Sequence, residues 1–283
     1  MLKKKLKHWG WGYLFVAPTM IGLLILNIWP IIETFLLSFQ KSLGFNRYEF
    51  AGFENFAKLF SDADVWIGLK NTFIFALVSV PLGIFAAIYM VEYAKKGNRI
   101  VKFIRVTAET LSGIPSIVYG LFGMIFFVGV LKMQLSLLSG SLTVAIMVLP
   151  TIMRTTEEAL LSVPQSYREG SFGLGAGKLR TVFRIVLPSA VPGILSGVIL
   201  ATGRIVGETA ALIYTAGTMA KVPNNLFASA RTLSVHMYLL SNEGLHTNEA
   251  FATAVVLLVF VMLINMLANF VARRLSAKNA END

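Results

Sequence analysis

Two groups of residues in this chain have types and spacing suited to chemistry. The first is Arg204 and Glu208, embedded in the apolar run ILSGVILATGRIVGETAALIYTAG (residues 194–217). An ionised side chain at mid-bilayer costs about 2.5–3.5 kcal/mol on insertion scales, so a polypeptide carries one there for a reason. One reading is a structural ion pair at i,i+4, although arginine preceding glutamate is the less favourable order in a helix. The other is a path for a charged or polar substrate. Arg154 is a third such residue, read either as a snorkelling anchor capping the inner end of its span or as part of the same path. The second group is the stretch REGSFGLGAGKLRTVFRIVLP (residues 168–188), polar and punctuated by glycine.

Several other chemistries are excluded by the residues themselves. FGLGAGKL mimics a phosphate-binding loop, but the glycine required five residues before Gly177 is Phe172. Leu179, with no hydroxyl for magnesium, follows Lys178. A dinucleotide fingerprint starting at Gly173 fails because Lys178 stands in its last glycine position. No cofactor is therefore expected on this chain. There is no cysteine, and His8, His236 and His246 have no metal-ligand spacing. Neither a Ser/His/Asp set nor a catalytic carboxylate pair can be assembled, so the chain does not read as an enzyme.

The elements that must hold these residues are membrane helices. Only 14% of the 283 residues are charged and 55% are apolar, against about a quarter charged in a soluble domain. No polar block is long enough for a core of its own. Six spans of near 20 residues fit: 12–32, 72–91, 110–131, 135–153, 190–213 and 251–271. The fourth is the weakest, with a polar start at Ser139, Gly140 and Ser141 and a kink expected at Pro150. Gly197, Gly203 and Gly207 are expected along one side of the fifth, where they permit close helix approach. The first span is too long for a cleaved leader and is read as retained.

Basic residues orient the spans. With the N-terminus inside, the inner segments hold Lys3, Lys4, Lys5, Lys7, Lys95, Lys96, Arg99, Lys102, Arg105, Arg154, Arg168, Lys178, Arg180, Arg184, Arg273, Arg274 and Lys278. Fewer lie outside, as expected for a multi-pass protein with both termini cytoplasmic. The net charge of +10 is thus mostly a topology signal, and nucleic acid is not an expected partner. Outside, FENFAKLFSDADVWIGLKN (residues 53–71) reads as an interfacial amphipathic helix, and a short helix is expected near 228–240.

The hairpin reads as two short helices. Pro164 stops the fourth span, 165–174 forms a helix with Ser162 or Ser166 as cap, Gly175 to Gly177 turn the chain, and 178–187 forms a helix that Pro188 ends. Its offsets, with Glu169, the small pair Gly170 and Ser171, Gly175, and then Ile185, Leu187 and Pro188, resemble the EAA loop of bacterial ABC-importer permeases. That resemblance implies a coupling helix seated on a separate ATPase subunit, which binds ATP and magnesium. Arg168 and Glu169 would make charged contacts at the rim of its groove, and Ile185 and Leu187 would anchor the second helix to the bundle.

GRIVGETAAL, IPSIVYGLFG (114–123), LPTIMRTTEEALLSVPQSYREGSFGLGAGK (149–178) and RTLSVHMYLL (231–240) resemble phosphate-uptake ABC permeases, in particular their A-type membrane subunit, over about residues 80–275. The implied fold is an all-α, six-helix type I importer half in the bacterial plasma membrane, moving phosphate inward by alternating access. Its implied partners are a second homologous permease, an ATPase dimer, an extracytoplasmic phosphate-binding protein and membrane lipid. Residues 13–40 and 50–84 resemble sugar-uptake ABC permeases instead, which keeps a sugar substrate as the alternative. The chain divides into residues 1–71 with the first span and outer loop, a permease core at 72–275, and a tail at 276–283. A membrane enzyme or a passive channel would leave the hairpin unexplained.

Overall fold

The structure is a computed structural model that describes residues 2–42, 47–94, 98–244 and 246–280. Lys95 and Lys96 of the inner basic set, and 281–283 of the tail, lie outside the described residues. The elements in chain order are α1 (Leu2–Leu23), α2 (Trp29–Ser38), β1 (Gln40–Ser42), β2 (Tyr48–Phe50), α3 (Glu54–Ser61), α4 (Ala63–Ile88), α5 (Arg99–Ser112), α6 (Ser116–Gly123) and α7 (Leu137–Ser162). There follow α8 (Gln165–Gly173), α9 (Lys178–Thr181), α10 (Leu187–Val206), α11 (Ala210–Thr215), α12 (Leu233–Glu243) and α13 (Thr247–Ala280). Four π-helical turns join or extend them, at Leu24–Ile28, Tyr89–Tyr93, Met124–Val130 and Val182–Val186. The fold is all-α and membrane-spanning. Among the described residues five helices are long and apolar enough to cross a bilayer, six if the bent pair α5–α6 counts as one.

The chain forms two compact units, residues 1–61 with 240–256, and 62–239 with 257–283. In the first, α1 and α2 carry the apolar run Gly12–Ser38, whose most apolar stretch is nowhere buried. A two-stranded antiparallel hairpin follows, pairing Gln40 with Phe50 and Ser42 with Tyr48. It was not expected from the sequence, where three-residue strands give no periodic signal. Asn55 secures it: its buried Nδ2 donates to Ser38 O (2.9 Å) and Gln40 O (2.8 Å). The expected interfacial helix at 53–71 divides instead. Its first half is α3, and its second half is already the start of α4.

In the second unit α7 is the central element, packed against both α4 and α10. Phe75 of α4, Val144, Met147, Val148 and Ile152 of α7, and Ile205 of α10 are fully buried together. The sequence ranks this helix the weakest span, yet it is the most buried of them. The same fact explains both. A helix enclosed by other helices needs little lipid-facing surface, and its small polar residues serve packing. Gly140 admits the Phe75 ring and the Ala216 methyl, Ser136 Oγ accepts from Ser139 N at 3.2 Å, and Ser79 Oγ donates to Ser141 O at 3.1 Å. The helix runs on through Pro150 to Ser162, so Arg154 stands within it and does not cap its end.

Two other spans are broken. The third, expected at 110–131, falls on the end of α5 and on α6, whose axes differ by 117°, the geometry of a broken span or a re-entrant loop. Pro115 disfavours helical geometry at Ile114 and forces the break. The fifth stops at Val206, and the chain resumes as α11 after Gly207–Thr209. The short helix expected near 228–240 lies at Leu233–Glu243, a few residues later.

Candidate functional site: a hairpin and a half-buried arginine

The hairpin forms from α8 and the helix that begins at α9. Gly175 lies at φ +80°, a conformation that costs an L-residue about 1–2 kcal/mol. Gly175 N donates to Phe172 O (2.9 Å) and Ala176 N to Ser171 O (3.1 Å), which closes the turn. The buried hydroxyls of Ser171 and Thr181, 2.8 Å apart, hold the two arms together. Replacing Gly175 by valine should therefore loosen the elbow, read as faster tryptic cleavage at Lys178 and Arg180; unchanged cleavage would count against this account of the turn.

Three details differ from expectation. The α8 N-cap is Pro164, without a side-chain cap. Pro188 does not end the second arm, because residues Lys178–Val206 form one 29-residue helix that continues into the bundle. Proline lacks an N–H and crowds the carbonyl four residues back, and the wide π-turn at Val182–Val186 immediately before Leu187 accommodates this, with Leu187 N donating to Val182 O. Finally, the anchors are not the expected pair. Val182 and Val186 are buried at 2% and 0% exposure, and Leu187 packs at the edge of their cluster with Ile88, Leu160 and Ile194. Ile185 instead lines an open groove of about 700 Å³ inside the elbow, beside Leu174, Leu179, Phe183 and Arg184. The hidden signal was the 4-residue step from Val182 to Val186 on the inner face.

The hairpin's charges are placed just as unevenly. Glu169 is exposed and Gly170 has open space around it. Arg168 is turned inward and does not sit at a rim. Its guanidinium donates to Glu92 Oε1, Leu160 O and Val163 O, each at 2.9 Å. Large apolar side chains point outward instead: Leu174 is 91% exposed and Leu179 66%, with Phe172 and Phe183 about half exposed.

At the other site the break in the fifth span separates Arg204 from Glu208. Arg204 is in the last turn of α10, half-buried, and Glu208 lies in the break, buried. They form no ion pair among the described residues. Glu208 Oε1 accepts from Ala211 N (2.9 Å), satisfying a free amide at the start of α11, and Ser234 Oγ donates to Glu208 O at 2.7 Å. The i,i+4 pair is thus replaced by a carboxylate that shapes the backbone. Arg204 makes no hydrogen bond or ion pair among the described residues, and lies within electrostatic reach of Tyr119 on α6. Tyr119 Oη donates to Leu111 O (2.6 Å) across the α5–α6 break. Gly120 meets Ala211, so the two broken spans touch beside the cation. Arg204 is seven residues from Gly197, hence on the same helix side, where Gly197 packs on Thr155 of α7. Gly203 faces Val261 on another side, so the three glycines do not form one stripe. Arg154 is apart from this arrangement: it is exposed and pairs with Glu158 at 3.1 Å, in a cleft that also holds the ion pair Arg105–Glu157 at 2.7 Å.

Residues 79–280 match the family described as binding-protein-dependent transport system inner membrane component. The chain is 36% identical over 226 residues to the probable ABC transporter permease protein YqgI of Bacillus subtilis, covering 74% of this chain and 76% of that one. It is 35% identical over 206 residues to the phosphate transport system permease protein PstA 1 of Mycobacterium tuberculosis, covering 70% and 67%. A bacterial ABC transporter that imports alginate shares the fold at a TM-score of 0.70 and 21% identity, over 96% of this chain and 98% of that one. The methionine ABC transporter MetNI, in inward-facing form, does so at 0.61 and 19%, over 78% and 98%. A membrane-spanning helical bundle, matched by one family over residues 79–280, identifies the chain as a member of the binding-protein-dependent inner membrane components, a permease subunit of an ABC importer.

Proposed function

We propose that this permease carries inorganic phosphate into the cytoplasm. It works beside a second homologous permease, is fed by an extracytoplasmic phosphate-binding protein, and is driven by an ATPase dimer that docks on the hairpin at 165–188. The observation that carries the substrate reading is Arg204, a half-buried cation without a partner among the described residues, set where two broken spans meet. A guanidinium suits a tetrahedral oxyanion through its charge and its fork of donors. Relatives named for phosphate transport support the same substrate. Ala211 N occupies Glu208 Oε1, which leaves the second carboxylate oxygen to accept from the hydroxyl of a protonated phosphate, a donor that sulfate lacks. The exposed Phe172, Leu174, Leu179 and Phe183, with Glu169 beside them, offer the ATPase an apolar contact with one charged edge.

The test is uptake of radiolabelled phosphate by proteoliposomes holding the whole complex. Arg204→Ala should lower it at least about tenfold, the loss of one charged hydrogen-bonding partner. Normal uptake in that variant would remove Arg204 from the path. Uptake of a labelled neutral sugar in place of phosphate would overturn the substrate reading.

A further inference from the structure

The structure assigns Arg168 and Glu92 a role as a mechanical latch that ties the coupling hairpin to the inner end of α4. This inference rests on the reading of the hairpin as the ATPase contact. Arg168 is on α8 and Glu92 is in the π-turn Tyr89–Tyr93 that extends α4. Both side chains are shielded, at 14% and 9% exposure, and their closest atoms are 2.9 Å apart. A surface ion pair at a helix end would contribute little. This one is withdrawn from solvent, and the same guanidinium also donates to Leu160 O and Val163 O at the end of α7. One side chain thus joins three elements: the hairpin, α7 and α4.

A second link runs parallel to it. Lys178 Nζ, on the other arm of the hairpin, sits 5.6 Å from the centre of the Tyr93 ring. Tyr93 packs at the edge of the apolar cluster that holds Val182, Val186 and Ile88. Adjacent residues of the π-turn, Glu92 and Tyr93, are therefore each held by a different arm. A turn grasped from both sides follows the hairpin as a rigid body, and α4 and α7 are the most closely packed pair in the bundle. A push on α8 then reaches the central helix through α4 as well as through the continuous helix at 178–206. Positioning through a discrete, desolvated contact of this kind is how small displacements become two-state rearrangements.

Glu92→Gln is the mild probe. It keeps shape and hydrogen bonding, and leaves Arg168 its two carbonyl bonds to α7. Glu92→Ala is the second, which removes the ion pair outright, lies outside the hairpin and again leaves Arg168 its two carbonyl bonds to α7. The full complex would be reconstituted, and phosphate imported per ATP hydrolysed would be measured. In both variants the ATPase should remain bound and hydrolysis should stay near wild type, while the ratio falls about tenfold, within the usual range of coupling factors. A purely structural defect would lower assembly, hydrolysis and uptake together and leave the ratio unchanged; that result, or loss of the ATPase from either variant, overturns the latch. An ATPase that never associates with the wild-type chain would instead refute the hairpin reading. Association without phosphate uptake in wild type would refute only the substrate, and the same ratio would then be taken with the cargo found.

Discussion

Leu174→Asp should release the ATPase subunit proposed to dock on the hairpin. Leu174 is 91% exposed at the C-terminal end of α8, immediately before the left-handed Gly175, and it borders the groove lined by Leu179, Phe183 and Ile185. An apolar side chain of that size left in water by its own chain contributes almost nothing to folding, so its contribution comes through what covers it. A central apolar anchor is worth about 2 kcal/mol or more to an interface, and a charge in its place adds desolvation cost, so affinity should fall at least about thirtyfold. Titration of the detergent-solubilised permease with purified ATPase measures it. Leu174→Met should bind as wild type, and the melting temperature of the permease alone should not move. Wild-type affinity in the aspartate variant would place the contact elsewhere on the hairpin.

The second large effect concerns folding. Valine at Gly197 should destabilise the bundle by about 3 kcal/mol or more, at the upper end of overpacking penalties. A Cβ there would collide with Oγ1 and Cβ of Thr155 on α7. Neither helix can retreat easily, because Ala201 and Ile205 of α10 are buried against the same central helix. Thermal unfolding in detergent should report a lower midpoint, and Gly197→Ala combined with Thr155→Gly should recover most of it. The contrast with Gly203 sharpens the test. Its Cβ would meet Val261 Cγ1 at 3.9 Å, an ordinary contact, so Gly203→Ala should be neutral or stabilise by up to about 1 kcal/mol. Equal losses at both glycines would refute this packing.

Much of the hairpin was legible in the sequence because its signals are local. A helix followed by a glycine turn depends on backbone preferences within a few residues, and Gly175 adopts the positive φ that its type suggests. The direction of Arg168 was not legible. Its neighbour Glu169 is equally polar, and only the arrival of Glu92 from 76 residues away, together with the free carbonyls of α7, decides which of the two turns inward. The apolar segments were likewise readable, but not which of them the others enclose: α7, with the weakest signal, is the most buried. Hydropathy measures suitability for lipid, and α7 is shielded from lipid by its neighbours.

By itself the sequence determined the class of the molecule: an apolar, cysteine-free, multi-span chain with a polar, glycine-turned hairpin between two of its spans. These follow from composition and short-range spacing, which do not depend on how helices meet. Only the tertiary structure decided that Arg204 and Glu208 part company at a helix break, that Glu208 serves the backbone while Arg204 is left without a partner among the described residues, and that the hairpin is tied to α4. Charges in a low-dielectric interior are governed by whichever groups come within a few ångströms, and that proximity is a property of the packed bundle.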